Sequence, residues 1–113
     1  MRYYELLYVV QPHMSEEQLK EFMDAVAERI KNEGGEVLKN ELWRKRNLAY
    51  PIKKFKQGYY ILVHYRSPSQ VPKKVEEYLR IKEDVLRFIN TAMLKKDIKQ
   101  YETKKKEEDG KSE

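Results

Sequence analysis

Apolar residues recur along this chain with a period of either two residues or about 3.6, in the order strand, helix, strand, strand, helix, strand. That order leaves few ways to bury every apolar face. Tyr4, Leu6, Tyr8 and Val10 alternate with Tyr3, Glu5, Leu7 and Val9 until Pro12 intervenes, which predicts a strand from Arg2 to Val10 with its even-numbered face buried. Ser15, with Gln18 after it, has the form of a capping box. The helical stripe Leu19, Phe22, Met23, Val26 and Ile30 follows, and Gly34-Gly35 should end it near Glu33.

Val37 to Tyr50 is rich in Leu, Trp and Tyr, but its apolar residues do not keep to one parity, so a long, bent strand is expected. Pro51 and the charged stretch Lys53 to Gln57 predict a connection. Gly58 then leads into a strand from Tyr59 to Tyr65, on which His64 marks the even face as the exposed one. After Ser67-Pro68-Ser69, the stripe Val71, Val75, Tyr78 and Leu79 predicts a shorter helix ending near Arg80, with Pro72 tolerable only in its first turn. A fourth strand is expected from Val85 to about Met93, with Leu86 and Phe88 toward the core and Arg87 outward.

This is the split βαβ order of ferredoxin-like folds. The expected architecture is α+β: a βαββαβ sandwich with a four-stranded antiparallel sheet and two helices on one face. A length of 113 residues fits one domain, placed at residues 1–95. The charged tail, 96–113, has too few apolar residues to offset chain entropy and is expected to be disordered, with disorder or frayed helix beyond about Tyr101. The uncovered sheet face would carry Tyr3, Leu7, Val9, Tyr60, Leu62 and Arg87, which is more apolar than contact with solvent requires.

The formal net charge of +5 is unevenly spread. Lys96 to Glu113 holds six basic and six acidic residues, whereas Leu42 to Lys56 holds Arg44, Lys45, Arg46, Lys53, Lys54 and Lys56 with no acidic residue. From the residues alone, phosphate contact and a merely solvated hairpin weigh about evenly, and the missing acidic residues tip the balance toward phosphate. Arg2 and Arg87 are candidates to extend this patch, with an ordinary surface role weighing equally. Tyr3, Trp43, Tyr60 and Leu62 are candidates to touch RNA or a protein neighbour, while Tyr4, Tyr8, Tyr59 and Tyr78 are assigned to the core.

Other chemistries find little support. Without cysteine there are no disulfides or thiolate metal sites. His13 and His64 fall far apart in the expected topology, as ordinary surface histidines, so no metal or cofactor is expected. The pairs Glu16-Glu17, Glu76-Glu77 and Glu83-Asp84 lie at helix starts, faces or turns, with no pocket to shift a pKa, and four glycines form no phosphate cradle. A small acylphosphatase-like hydrolase would need a basic residue between the first strand and helix, where Gln11-Pro12-His13-Met14 stands. No enzyme activity and no small-molecule substrate are expected. The longest apolar stretches, Leu6 to Val10 and Tyr59 to Val63, fall far short of the roughly 20 residues that span a bilayer. Met1-Arg2-Tyr3-Tyr4-Glu5 lacks a signal-peptide layout, so a cytoplasmic location away from membranes is expected.

Arg46-Asn47-Leu48-Ala49-Tyr50-Pro51-Ile52-Lys53-Lys54, followed by Gln57-Gly58-Tyr59-Tyr60, closely resembles the signature of the S-six family of bacterial small-subunit ribosomal proteins. The opening Arg2-Tyr3-Tyr4-Glu5 agrees, as does Leu79 to Arg87, which looks like the family's exit from the second helix into the last strand. The resemblance covers residues 1 to about 95. It implies a ferredoxin-like structural protein that binds small-subunit rRNA in the central domain, or platform, cooperatively with ribosomal protein S-eighteen, on the ribosome and without catalysis or cofactor. It also strengthens the phosphate-binding reading of Arg44, Lys45, Arg46, Lys53, Lys54 and Lys56. The competing readings are a free single-stranded RNA-recognition module and a protein-only adaptor. The third strand lacks the full spaced glycine-aromatic motif of the first of these.

Overall fold

The computed structural model describes residues 1–101. Its elements are β1 (Arg2–Val10), α1 (Glu16–Asn32), β2 (Glu36–Ile52), β3 (Phe55–Ser67), α2 (Val71–Arg80) and β4 (Val85–Ala92), followed by helical residues 95–101. The expected tail from 102 onward lies outside the described residues. The last helical stretch straddles the boundary drawn between residues 95 and 96.

Local chemistry sets the helix ends. The Ser15 hydroxyl accepts from the Gln18 backbone N–H at 3.1 Å, and the Ser15 N–H donates to the Gln18 side chain at 3.0 Å, so the predicted capping box closes reciprocally. Beyond α1, Gly34 takes φ +100°, and the N–H of Gly35 donates to Ile30 O at 2.8 Å. Pro72 lies within the first turn of α2, where its missing N–H costs nothing.

The strands form one sheet in the order β2-β3-β1-β4, with every neighbouring pair antiparallel. Leu6, Tyr8 and Val10 of β1 and Ile61, Val63 and Tyr65 of β3 share one face, against Leu19, Val26 and Ile30 of α1 and Val71, Val75 and Leu79 of α2. Both helices therefore cover the same side. Each fully buried aliphatic side chain contributes about 1.5–3 kcal/mol of transfer free energy, enough for this single layer of contacts to hold the sandwich closed.

The β2–β3 hairpin departs from expectation. Lys53 to Gln57 was expected as a connection, yet Ile52 pairs with Phe55, and only Lys53 and Lys54 turn, at φ 50° and 72°. Two successive positive φ values are what a tight hairpin with the twist of its strands demands. Lysine meets that demand here without the usual glycine or asparagine.

Leu86 is buried, at 9% exposed, but not in the helix-facing cluster. The β1–β4 register shifts between Val9 and Val10, so that Val9 pairs with Arg87 and Val10 with Val85, leaving Leu86 as the extra residue. Val85 joins the helix-facing cluster and Phe88 packs against it, as expected for Phe88. Leu86 instead lies near Gly58, where any added Cβ would collide with Val9 Cγ1 and stand 3.6 Å from Leu86 Cδ1. Only a residue without a side chain lets Val9 fold over β3 at that point.

Candidate nucleic-acid interface

Directly paired residues in an antiparallel sheet project to the same face. On the face opposite the helices, Arg44 pairs with Tyr60, Tyr60 with Val9, and Val9 with Arg87. One transverse row therefore begins and ends with an arginine, on the two outermost strands, around an apolar centre. The adjacent row is Glu41, Leu62, Leu7 and Ile89, and beyond it come Lys39, His64, Glu5 and Thr91. Tyr60 and Leu62, both predicted contact residues, lie half-buried at the middle of this open face.

Trp43 is placed by a register shift between Leu42 and Arg44. Its ring, 46% exposed, has the guanidinium carbons of Arg44 and Arg46 at 5.5 and 5.2 Å from the ring centre. Stacking on an aromatic ring holds a guanidinium by its plane and leaves its N–H edge free to donate to a phosphate. Lys45 projects to the other side, its ammonium 5.4 Å from the Tyr59 ring centre. Lys54 and Lys56 are exposed on the hairpin, and Lys53 Nζ donates to Glu83 O and Val85 O, both at 3.3 Å.

The six hairpin cations thus share one projecting element but not one direction. Arg87 joins the Arg44 row, and Arg80, which sequence reasoning missed, lines a cleft together with Lys53 and Arg87. Its signal was a helix-terminal position just before the α2–β4 connection. Arg2 is not brought to this group: it pairs with Ser67, and Val9 lies seven steps further along β1, about 23 Å along a strand.

Tyr3 and His64 are already engaged. Tyr101, from the last helical stretch, lies nearly parallel to the Tyr3 ring at 6.3 Å, and its hydroxyl is 2.5 Å from His64 Nδ1. His64 is therefore only 6% exposed, a correction to the surface position expected for it; the contact is made by a residue 37 positions further along the chain. His13 is exposed, as expected, with its ring 5.6 Å from that of Phe55. Desolvation lowers the His64 pKa below its ordinary 6.5, with Glu5, whose carboxylate stands 3.9 Å from Nε2, pulling the other way. The unfolded chain then takes up the proton more readily than the folded one, so stability is lost as pH falls from about 6.5 through the lowered folded value. Urea unfolding between about pH 7.5 and 5.5 should show this loss in the wild type and a smaller one in His64→Gln.

Among the described residues no group of three or more His, Cys, Asp or Glu side chains gathers as a metal site, and no helix among them is long and apolar enough to cross a membrane.

The sheet order and the two helices on one face define a ferredoxin-like α+β domain. The profile of the family described as Ribosomal protein S6 matches residues 3–92. The chain is 41% identical over 100 residues to small ribosomal subunit protein bS6 of Aquifex aeolicus, covering 88% of this chain and 91% of that protein. It is 42% identical over 89 residues to the bS6 of Clostridioides difficile, covering 79% and 96%. The crystal structure of 30S ribosomal protein S6 from Thermotoga maritima superposes with a TM-score of 0.79 at 26% identity, covering 93% of this chain and 97% of that one. The chain belongs to the ribosomal protein S6 family, a family of structural, non-enzymatic proteins of the small ribosomal subunit.

Proposed function

We propose that this chain binds small-subunit rRNA in the central domain of the subunit, cooperatively with ribosomal protein S-eighteen, as a ribosomal component of the cytoplasm. The RNA-facing element is the β2–β3 hairpin with Arg44, Lys45, Arg46, Lys53, Lys54 and Lys56, extended by Arg87. Arg2 would reach RNA only at the opposite end of the sheet. The observation that carries this reading is the pair Arg44 and Arg46, with guanidinium carbons 5.5 and 5.2 Å from the Trp43 ring centre, on a strand that leads into a turn of two lysines, with no acidic residue between Leu42 and Lys56. Cations held in this way release condensed counterions when phosphate replaces water, which gives affinity without reading sequence.

Tyr60, in the row flanked by Arg44 and Arg87, and Leu62, Leu7 and Ile89 of the adjacent row offer an apolar strip for the protein partner. An RNA site completed by a second protein makes affinity cooperative. A platform fragment of small-subunit rRNA titrated with this chain should therefore bind at least about tenfold more tightly when S-eighteen is present, a gain of about 1.4 kcal/mol. Equal affinity with and without that partner would refute cooperation. Tight binding of short single-stranded RNA by the chain alone would favour the free recognition module instead.

A further inference from the structure

Lys53 is half of a tight turn at the tip of the cationic hairpin, and its ammonium turns back to the body of the protein. It donates to two backbone carbonyls, of Glu83 and Val85, at the entrance to β4. That receiving segment is itself fixed. Val85 N–H donates to Lys82 O, Gln11 N–H to Asp84 O at 2.9 Å, and the Gln11 side chain to Asp84 Oδ1 at 3.3 Å. The turn is thereby tied through residues 83–85 to the end of the central strand β1. We propose that Lys53 is a positioning residue: a strut that holds the hairpin in the pose that presents its other cations, not a phosphate ligand itself.

The chemistry separates it from its neighbour. An ammonium has three donors, and two of those of Lys53 are aimed at main-chain carbonyls. Moving it to a phosphate would give up both bonds and loosen a turn whose two positive φ values are costly for lysine. Lys54, exposed in the same turn, lines an open cleft with Lys56 and His13 and is suited to phosphate. The role assigned to Lys53 in binding rests on the RNA-binding reading above; its role as a strut does not.

Two single variants of the full chain, Lys53→Gln and Lys54→Gln, measured in two ways, decide the matter. Amide hydrogen exchange across residues 50–57 should quicken in Lys53→Gln and stay near wild type in Lys54→Gln. Affinity for the platform rRNA fragment with S-eighteen should fall roughly five- to tenfold in Lys53→Gln with the log–log salt slope unchanged, whereas Lys54→Gln should make that slope shallower by about 0.9. A slope lowered equally by both variants would make Lys53 a phosphate ligand and overturn the proposal. Unchanged exchange in Lys53→Gln would overturn it as well. If the wild-type chain binds no RNA, the functional reading falls, and the exchange experiment alone still decides whether the strut exists.

Discussion

Replacing Arg44, Lys45, Arg46, Lys53, Lys54 and Lys56 together with glutamine is expected to abolish most of the salt dependence of RNA binding and to weaken it at low salt by orders of magnitude. Each phosphate neutralised contributes at most about 0.9 to the log–log slope, so six contacts would set a limit near −5, and a strut role for Lys53 moves the wild-type value toward about −4.5. On that slope the wild-type affinity should drop by roughly 10²- to 10³-fold between about 50 and 200 mM salt, while the variant stays nearly flat. Glutamine keeps much of each side chain's apolar stem, so lost packing contributes little to the difference. All six residues lie on a hairpin whose far end, Phe55 to Gly58, extends past the pairing of β3 with β1. The helix-facing core does not depend on them. A thermal melt with an unchanged cooperative transition would confirm that the variant folds. A wild-type slope near zero, measured on the same fragment, would remove phosphate contact as the basis of binding.

Leu6→Ala should have the largest effect on stability. Leu6 is fully buried at the centre of β1, paired with Val63 on one side and Asn90 on the other, beneath both helices. Deleting its side chain loses transfer free energy and leaves a cavity that a four-stranded sheet cannot collapse to fill, at a cost of about 2–5 kcal/mol. For a domain of this size that lowers the melting temperature by more than about 10 °C. Leu7, the next residue, points to the open face and is half-buried. Leu7→Ala should cost about 1 kcal/mol or less and act instead on cooperation with the protein partner. Equal losses of stability from the two substitutions, in urea unfolding, would contradict the assignment of the two faces.

The parts of this architecture that could be read from the sequence are those governed by local rules. Ser15 and Gln18 announced the start of α1 because the residues that close a capping box are three apart and need nothing from the rest of the chain. Leu6, Tyr8 and Val10 announced the buried face of β1 because a strand's period is two. The clustering of cations in β2 and β3 was equally plain, being a matter of sequence position.

What resisted reading was long-range or lacked a chemical marker. The turn at Lys53 and Lys54 carries no glycine or asparagine, so nothing distinguished two residues of turn from five residues of loop. The shift at Val9 that moves Leu86 off the helix side is a property of the β1–β4 pairing and is not visible in either strand alone. The shift near Trp43 decides which face Arg44 and Arg46 share, since Leu42 before it pairs with Ile61 on the helix side. The burial of His64 depends on Tyr101, at the point where disorder or frayed helix was expected to begin.

The irregular pairing of β2 also matters to the chain on its own in solution. This strand is an outer member of the sheet and 17 residues long, a length that would ordinarily invite another molecule to add its backbone alongside and start a growing fibre. Register shifts after Val37 and Leu42 twist and interrupt that border, Lys39 and Lys45 stud it with charge, and Pro51 withholds one N–H near its end. A flat, regular, apolar version of the same segment would offer a template for another backbone; the interrupted, charged border of β2 is a poor one.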